Sequence, residues 1–289
     1  MSSSSHDKPA GEARIAVIVP CFDDGAVLGD ALSSIEEGEP VEVVVVDDAS
    51  VDGNTLDTLA QLERDGHRVL RHERNGGVAA ARMTGLAATS APFVFPLDAD
   101  DMAQPGSLGA MADRLEATPE AGVCFGDYLE FGESSLVRAV PDWLDPFRIA
   151  YTNEYPVSAM FRRSLLQRVG GWRSDPGKVT FEDWDVWMRL AELGERGVHL
   201  GRGVITYRRR LHGERLLQRG KRNHKAIYRR LRADHQALFA NLREHRRRSD
   251  LSPVRKLAYP FVYGGRRRLP FEPRVKALLD RYGVWTLRR

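Results

Sequence analysis

The sequence predicts an α/β fold in which a mainly parallel, Rossmann-like sheet is flanked by helices. Over roughly the first hundred residues, short apolar runs alternate with amphipathic segments, and each strand–helix unit takes about thirty residues. The runs are apolar at successive positions, as in strands that helices cover on both faces. Three of the runs end in aspartates, which would meet at the carboxyl edge of the sheet, where open α/β sheets bind ligands.

The first half of the chain is the more regular half. Pro40 separates the first helix from the second strand, and Asn75-Gly76-Gly77 is typical of a turn. An Ala-rich helix follows this turn. We predict strands at 14–20, 41–46, 68–71 and 92–97, and helices at 26–37, 55–65 and 78–89.

The second half mixes strands and helices less regularly. Pro105 favours the first turn of a helix, and Gly170-Gly171 ends another. We predict loops in segment 130–146, with a hairpin as an alternative. We predict helices at 105–118, 164–169 and 181–190, strands at 122–128, 155–161 and 203–208, and a basic, mostly helical tail.

Length and composition set limits on the protein class. The chain has 289 residues, which is enough for one large α/β domain or two small ones, and its net charge is only +3. Cys21 and Cys124 lie in or beside apolar runs, so we expect reduced thiols and a cytoplasmic setting. Residues 1–13 lack an apolar core and predict a disordered lead-in. No run approaches the roughly 18 apolar residues of a transmembrane helix.

The fourth predicted strand ends in three closely spaced carboxylates: Asp98, Asp100 and Asp101. Carboxylates this close repel one another unless water or a cation neutralises them. Mg²⁺ and Mn²⁺ take one or two protein carboxylates and complete their shell with phosphate oxygens and water. The pattern therefore favours a site where a metal meets a diphosphate. The alternative is a solvated turn with a helix cap.

Acids also follow the first two strands. Asp48 can accept a hydrogen bond from a base or a ribose, Asp24 can do so less directly, and Phe22 can pack against a base. The alternatives are an Asx turn for the acids and a core position for Phe22.

Two further motifs carry charged groups. Arg82 lies one turn into the Ala-rich helix, where it can reach a phosphate or pair with Asp98 or Asp100. The alternative is a surface arginine. Glu182 and Asp183 open a Trp-rich helix, where one of them can serve as a general base or both can simply favour the helix N-terminus.

Taken in order, these motifs resemble those of family 2 glycosyltransferases, which are inverting enzymes with the GT-A fold. Phe22 and Met83 stand where the family usually carries Tyr and Asn. The Gln-x-x-Arg-Trp motif of processive members is absent, which favours a single sugar transfer. The matching stretches are Val19–Asp24, Val45–Ser50 with Asp52, Asn75–Leu86, Leu97–Asp101 with Pro105, and Glu182–Arg189.

The resemblance implies a role for each matched residue. Asp48 with Asp24 would hold the base, Asp98 the ribose or sugar, and Asp183, beside Glu182, would be the catalytic base. His212 would join Asp100 in binding Mn²⁺ or Mg²⁺, although an extra arginine shifts its spacing. The implied nucleotide-sugar site comprises Pro20, Phe22, Asp24, Asp48, Arg82, Asp98 and Ala99.

The resemblance also implies a domain plan and partners. Residues 14–212 would form the glycosyltransferase domain, with a nucleotide-sugar half at 14–104 and an acceptor half at 105–212, and 213–289 would be a basic helical extension. The partners would be a nucleotide-diphosphate sugar, UDP-linked in our interpretation, and a hydroxyl-bearing acceptor: a saccharide, lipid-linked or small molecule. The cellular process would be cell-surface polysaccharide, glycolipid or secondary-metabolite glycosylation.

The basic extension has two interpretations, a solvated helix face or a peripheral contact with the inner face of a membrane. We expect no nucleic-acid binding, because aromatic residues do not alternate with the basic ones. Two alternatives to the transferase remain: a nucleotidyltransferase-like α/β enzyme, which would usually carry a basic Gly-rich loop after the first strand, and a non-catalytic nucleotide- or anion-binding module.

Overall fold

The computed structural model describes residues 13–133, 135–173, 181–211 and 226–262. The strands are β1 Ile15–Cys21, β2 Val41–Asp47, β3 Val69–Arg71, β4 Phe93–Pro96, β5 Met102–Ala103, β6 Ala121–Phe125, β7 Asp127–Gly132, β8 Leu136–Arg138, β9 Met160–Arg162, β10 Arg196–His199 and β11 Ile205–Leu211. The helices are α1 Gly25–Ser33, α2 Gly53–Arg64, α3 Val78–Ala88, α4 Ser107–Glu116, α5 Pro146–Ile149, α6 Arg163–Val169, α7 Glu182–Glu192, α8 226–234, α9 Gln236–Ala240, α10 Leu242–Arg248 and α11 Pro253–Val262.

A seven-stranded sheet in the order β10-β6-β9-β4-β1-β2-β3 forms the centre of the fold. The pairs β1–β2, β1–β4, β2–β3 and β6–β10 are parallel, whereas β9 runs antiparallel to β4 and β6. The predicted α/β class with a mainly parallel sheet flanked by helices is confirmed. A second sheet, in the order β5-β11-β7-β8, lies beside the first.

Strand β1 is the centre of the core because both of its faces are covered. All seven of its residues are buried. Ile18 packs with the apolar cluster on one face, whereas Val17 and Val19 pack with the cluster on the other. This alternation follows from the period of two in a strand and explains why the run contains no polar residue.

The close packing of α3 on β1 depends on Gly85. A Cβ added at Gly85 would lie 2.3 Å from Ile18 Cγ2, whereas one added at the exposed helical Gly29 would meet nothing within 4 Å. We therefore expect Gly85→Ala to destabilise the fold by about 1–3 kcal/mol through overpacking. The matched change Gly29→Ala should be stabilising by about 0.5–1 kcal/mol. Urea denaturation checks both values, and equal effects would contradict the packing argument.

Several predicted elements are wrong in extent. The predicted strand 122–128 is two strands in different sheets, because the chain passes between them at Gly126, where a Cβ would lie 2.4 Å from Thr206 Cγ2. The predicted strand 155–161 overlaps the observed strand Met160–Arg162 only at Met160 and Phe161. The Tyr155 hydroxyl instead anchors a loop by donating to the Trp143 carbonyl.

Two short strands, β5 and β10, were not predicted, and the last strand begins and ends later than predicted. A hairpin is present, since β7 and β8 pair antiparallel, but it begins at Asp127, before the predicted segment 130–146. Cys21 and Cys124 are buried free thiols. In the described part of the chain, no helix has both the length and the hydropathy to cross a bilayer.

Candidate active site at the carboxyl edge of the sheet

The loops after β1 and β2 meet at the carboxyl edge, because Cys21 at the end of β1 pairs with Asp47 at the end of β2. Asp23 joins the two loops. Its Oδ1 accepts hydrogen bonds from the backbone N–H groups of Val51 and Asp52, each at 2.8 Å, and its own N–H donates to Ser50 Oγ. Asp23 therefore connects the two loops through its own hydrogen bonds.

Backbone strain is concentrated in the same two loops. Asp23 has a φ of 58° and Ala49 a φ of 63°, and in the described segments these are the non-glycine residues with positive φ. Left-handed conformations of such residues are costly and tend to occur at binding and catalytic sites. The strain is consistent with a ligand site at this edge.

The remaining predicted residues of the β1 loop divide into buried and accessible ones. Pro20 is buried inside β1, so it supports the end of the strand. Phe22 is 44% exposed, which is high for a large apolar side chain, and Asp24 is partly buried at the start of α1. The exposed Phe22 ring is available for contact with a flat ligand, and the alternative of a core position for Phe22 is wrong.

The Asp48 carboxylate organises the neighbouring Gly turn. It accepts hydrogen bonds from the backbone N–H groups of Gly76 at 2.8 Å and Gly77 at 2.7 Å, and His72 Nδ1 lies 2.7 Å from Oδ1. Asp48 is only 3% exposed. The structure thus gives Asp48 three protein partners, and its predicted contact with a base stays a prediction.

Three carboxylates converge where β4 ends. One oxygen each of Asp98, Asp100 and Asp101 lies within 4.8 Å of the others. Burial raises the pKa of Asp101 well above its ordinary value, and the charges of Asp100 and Asp98 raise it further. Asp101 also accepts a hydrogen bond from the Arg210 N–H at 2.9 Å. This donor set fits a hard divalent cation, which prefers oxygen ligands and would relieve the repulsion that raises the Asp101 pKa.

Arg82 connects this cluster to the other side of the site. Its guanidinium lies 2.6 Å from Asp98 and 2.9 Å from Glu182, at the start of α7, and its side chain is 2% exposed. The alternative of a surface arginine is therefore wrong. Ala79 and Ala81 of the same helix are buried as well. A permanently charged guanidinium thus holds two acids that are distant in sequence.

Asp183 lies at the N-terminus of α7, next to Glu182. Its Oδ1 accepts the Trp184 N–H at 2.8 Å, and its Oδ2 accepts from Asn153 Nδ2 at 2.7 Å. Burial raises the pKa of both Asp183 and Glu182, while the charge of Arg82 acts in the opposite direction on each. A carboxylate whose pKa is raised toward neutrality is a stronger base, which suits general base chemistry.

The structure thus brings Asp98, Asp100, Asp101, Arg82, Glu182 and Asp183 to one side of the sheet. Ala99 is buried in the core, so only its backbone can reach a ligand. His212 lies outside the described residues, and its predicted metal contact stays a prediction. Sequence reasoning missed His72 and Asn153, because each lies in an irregular segment without a motif.

Comparisons with known proteins identify the family of the chain. Residues 16–193, well over half of the chain, match the family model described as Glycosyl transferase family 2. Glycosyltransferase GlyA of Streptococcus pneumoniae is 26% identical over 217 residues, which is 68% of this chain and 30% of GlyA. The matches span 61%, 30% and 40% of the first three curated relatives, so this chain covers less than two thirds of their lengths.

Solved structures share the fold at low identity. Residues 1–349 of TarS from S. aureus, solved with UDP-GlcNAc, match with a TM-score of 0.63 and 19% identity over 94% of this chain and 82% of that one. The mannosyltransferase PcManGT of Pyrobaculum calidifontis, solved with GDP-Man and Mn²⁺, matches with a TM-score of 0.57 and 22% identity over 97% and 79%. The predicted GT-A fold is confirmed, and the chain belongs to glycosyl transferase family 2.

Proposed function

We propose that this protein transfers one sugar from a nucleotide-diphosphate sugar to an acceptor hydroxyl, with a divalent metal and with inversion at the anomeric carbon. The observation that carries the proposal is the Arg82 bridge, which places the Asp98–Asp101 carboxylates beside the Glu182-Asp183 pair. A transferase needs both halves close together, one for the leaving group and one for the attacking hydroxyl.

The donor half would bind the nucleotide at the carboxyl edge. Phe22 would pack on the base, while Asp24 and the loop held by Asp48 would contact the nucleoside. Asp98 would accept from ribose or sugar hydroxyls, since its side chain is partly exposed even while it pairs with Arg82. UDP is our first choice of nucleotide. GDP is the other nucleotide to test, since a solved structure of similar fold holds GDP-Man.

The Asp98, Asp100 and Asp101 cluster would hold Mn²⁺ or Mg²⁺, with Asp100 as the main ligand. When bound, such a cation stabilises negative charge on the departing diphosphate. Asp183 would accept the proton of the acceptor hydroxyl, which then attacks from the face opposite the leaving group. Glu182 and Arg82 would orient this base and balance its charge.

Thermal stability measured with nucleotides tests the proposal. UDP or GDP with Mn²⁺ at a hundredfold excess over Kd should add about 2.7 kcal/mol of stability and raise Tm by several degrees. EDTA or the change Asp100→Asn should remove the Mn²⁺-dependent part of that rise. No rise with either nucleotide would contradict nucleotide binding.

Phe22 should contribute directly to nucleotide affinity. Stacking of a base on an aromatic side chain is worth roughly 1–3 kcal/mol, so Phe22→Ala should weaken UDP binding by about 5- to 150-fold. The free energy of unfolding should stay unchanged, because the Phe22 side chain is 44% exposed. Isothermal titration calorimetry measures the affinity, and Val51→Ala in the neighbouring loop is the matched control. Equal affinity in the two variants would contradict the stacking role.

The basic extension would contact an anionic membrane surface near the acceptor. Val254 and Leu257 are exposed one turn apart on α11, and Lys256 Nζ reaches the Arg247 carbonyl of the Arg-rich α10. An apolar pair beside several cations is typical of a peripheral membrane contact. Cosedimentation with phosphatidylglycerol vesicles but not with phosphatidylcholine vesicles is the expected result, and Leu257→Glu should reduce it. Absence of binding to both vesicles would contradict this contact.

A further inference from the structure

Asn153 donates a hydrogen bond to the Asp183 carboxylate from a loop between α5 and β9. Its Nδ2 lies 2.7 Å from Asp183 Oδ2. A carboxylate of this kind accepts, so the amide nitrogen must face Asp183 and the amide oxygen must face away. This Asn153 Oδ1 is buried and has no hydrogen-bond partner among the residues that the structure describes. Within the described part of the chain, the bond to Asp183 therefore sets the orientation of the amide.

A buried, unpaired acceptor destabilises a protein, and such groups persist mainly where function requires them. A residue retained only for packing would have an apolar side chain at this position. The Asn153 amide is thus retained for its donor. The donor fixes the rotamer of Asp183, and it favours the ionised form that a general base needs.

The segment that carries Asn153 is held in place by side-chain hydrogen bonds. The next residue, Glu154, accepts Arg148 Nε at 2.6 Å and also accepts the hydroxyl of Tyr259 on α11. Arg148 is itself 3% exposed and lies 3.5 Å from Asp250, between α10 and α11. The C-terminal helices therefore contact the Asn153 segment directly through Tyr259, and Asp250 contacts it indirectly through Arg148.

The same helices also hold α7, on which Asp183 lies. His235, between α8 and α9, is 1% exposed, and its two ring nitrogens lie 3.0 Å from Asp185 and 3.0 Å from Glu192. Asp145, which caps the start of α5, accepts a hydrogen bond from Ser249 Oγ at 2.5 Å. Residues 226–262 lie outside the stretch that matches the family model, yet they contact both elements that meet at Asp183.

We propose that Asn153 is the positioning residue for Asp183 and that the C-terminal helices 226–262 hold the Asn153 segment against α7. The inference rests on the proposed function for the role of Asp183 as base. It makes the extension part of the acceptor side of the site, whether or not it also meets a membrane.

Asn153→Ala separates positioning from structural support. We expect kcat for transfer to fall by about 10- to 100-fold, while KM for the donor and the Kd for UDP with Mn²⁺ stay unchanged. Tm should stay constant or rise, because the variant also removes the unpaired acceptor. The proposal would be overturned if Asn153→Ala lowered Tm so far that loss of folded protein accounted for the lower kcat. Asn54→Ala, at an exposed position of α2, is the matched control and should leave kcat unchanged.

The pH profile gives a second readout. The charge of Arg82 lowers the pKa of Asp183, the charge of Asp98 raises it, and Asp183 also interacts with Glu182, the residue before it. The hydrogen bond from Asn153 lowers the Asp183 pKa further. Without that donor the carboxyl holds its proton to higher pH, so the acidic limb of kcat should move upward in Asn153→Ala. An unmoved limb together with a reduced kcat would overturn the positioning role.

Carbon-13 NMR tests the contact between Asn153 and Asp183 without a measurement of sugar transfer. With ¹³C-carboxyl aspartate in the full chain, the resonance lost in Asp183→Asn assigns Asp183, and its titration should shift to higher pH in Asn153→Ala. An unchanged titration overturns the inference even if transfer is found. A shifted titration in a protein that transfers no sugar supports the contact and contradicts the proposed function.

Tyr259→Phe tests the part of the proposal that concerns the extension. The variant keeps the ring but removes the hydroxyl that donates to Glu154. We expect a fall in kcat of several-fold, smaller than that of Asn153→Ala, with UDP affinity unchanged. In the double variant Asn153→Ala/Tyr259→Phe the Tyr259 change should have little further effect on kcat, because both act through one contact. Additive losses, or no loss from Tyr259→Phe, would overturn the role of the extension.

Discussion

Asp183→Asn should lower the rate of sugar transfer by about 10²- to 10⁴-fold, the usual contribution of a general base. The variant keeps the shape of the side chain, and its one remaining oxygen can still accept the N–H of Trp184. Its new amide nitrogen then takes the place of the oxygen that accepted from Asn153, and the Asn153 amide can rotate by half a turn to accept from it. The variant cannot take up the proton of an acceptor hydroxyl. Initial rates of UDP release with a sugar donor and acceptor measure the effect, and Tm and UDP affinity should stay close to those of the unchanged protein.

Asp57→Asn, at an exposed position of α2, is the control for this change and should retain full activity. A fully active Asp183→Asn would contradict the base assignment. Glu182→Gln would then become the variant to measure, because Glu182 is the other acid at the start of α7 and its pKa is also raised by burial.

Arg82→Met should be among the most destabilising single changes in this fold. Methionine fills much of the volume but leaves Glu182, whose side chain is 12% exposed, without its cation, and leaves Asp98 without its partner. Removing one member of a buried ion pair costs about 3–5 kcal/mol. Urea denaturation measures the loss, and transfer should fall as well, because the two halves of the site lose their connection.

Two further variants show whether the Arg82 effect comes from charge. Adding Glu182→Gln to Arg82→Met should recover part of the lost stability, because the unpaired buried charge is then removed. Arg71→Met is the matched control. Its pair with Glu63 is exposed on both sides, so the change should cost no more than about 1 kcal/mol. Equal costs at Arg71 and Arg82 would contradict a buried bridge.

The parallel half of the fold was predictable because its signals are local. The run from Ile15 to Cys21 has no polar residue, the turn at Asn75–Gly77 precedes α3, and the aspartates come where strands end. The acceptor half was less predictable, because its contacts are distant in sequence. β6 and β7 follow one another along the chain, so segment 122–128 was predicted as one strand. The two strands instead pair with different partners in different sheets.

The site was predicted as separate acids with one connection, the pairing of Arg82 with Asp98, which is confirmed. That Asp98 and Asp183 belong to one site followed from the motifs, whereas the role of Arg82 in joining Asp98 to Glu182 did not. Asp48 was expected to face a ligand, yet its oxygens accept hydrogen bonds from the backbone N–H groups of Gly76 and Gly77. Asn153 is 30 residues before Asp183 in an irregular segment, so no periodicity or motif could indicate their contact.

The stereochemistry of the first product tests the central claim most directly. The protein with Mn²⁺ is incubated with α-linked UDP- and GDP-sugars and an acceptor panel, and proton NMR follows the anomeric signals from the first minutes. A single displacement with Asp183 as base predicts a β-configured product that forms as UDP or GDP is released, and predicts its loss in Asp183→Asn. An α-configured first product would contradict the inverting mechanism, and release of no nucleotide from any donor would contradict glycosyl transfer itself.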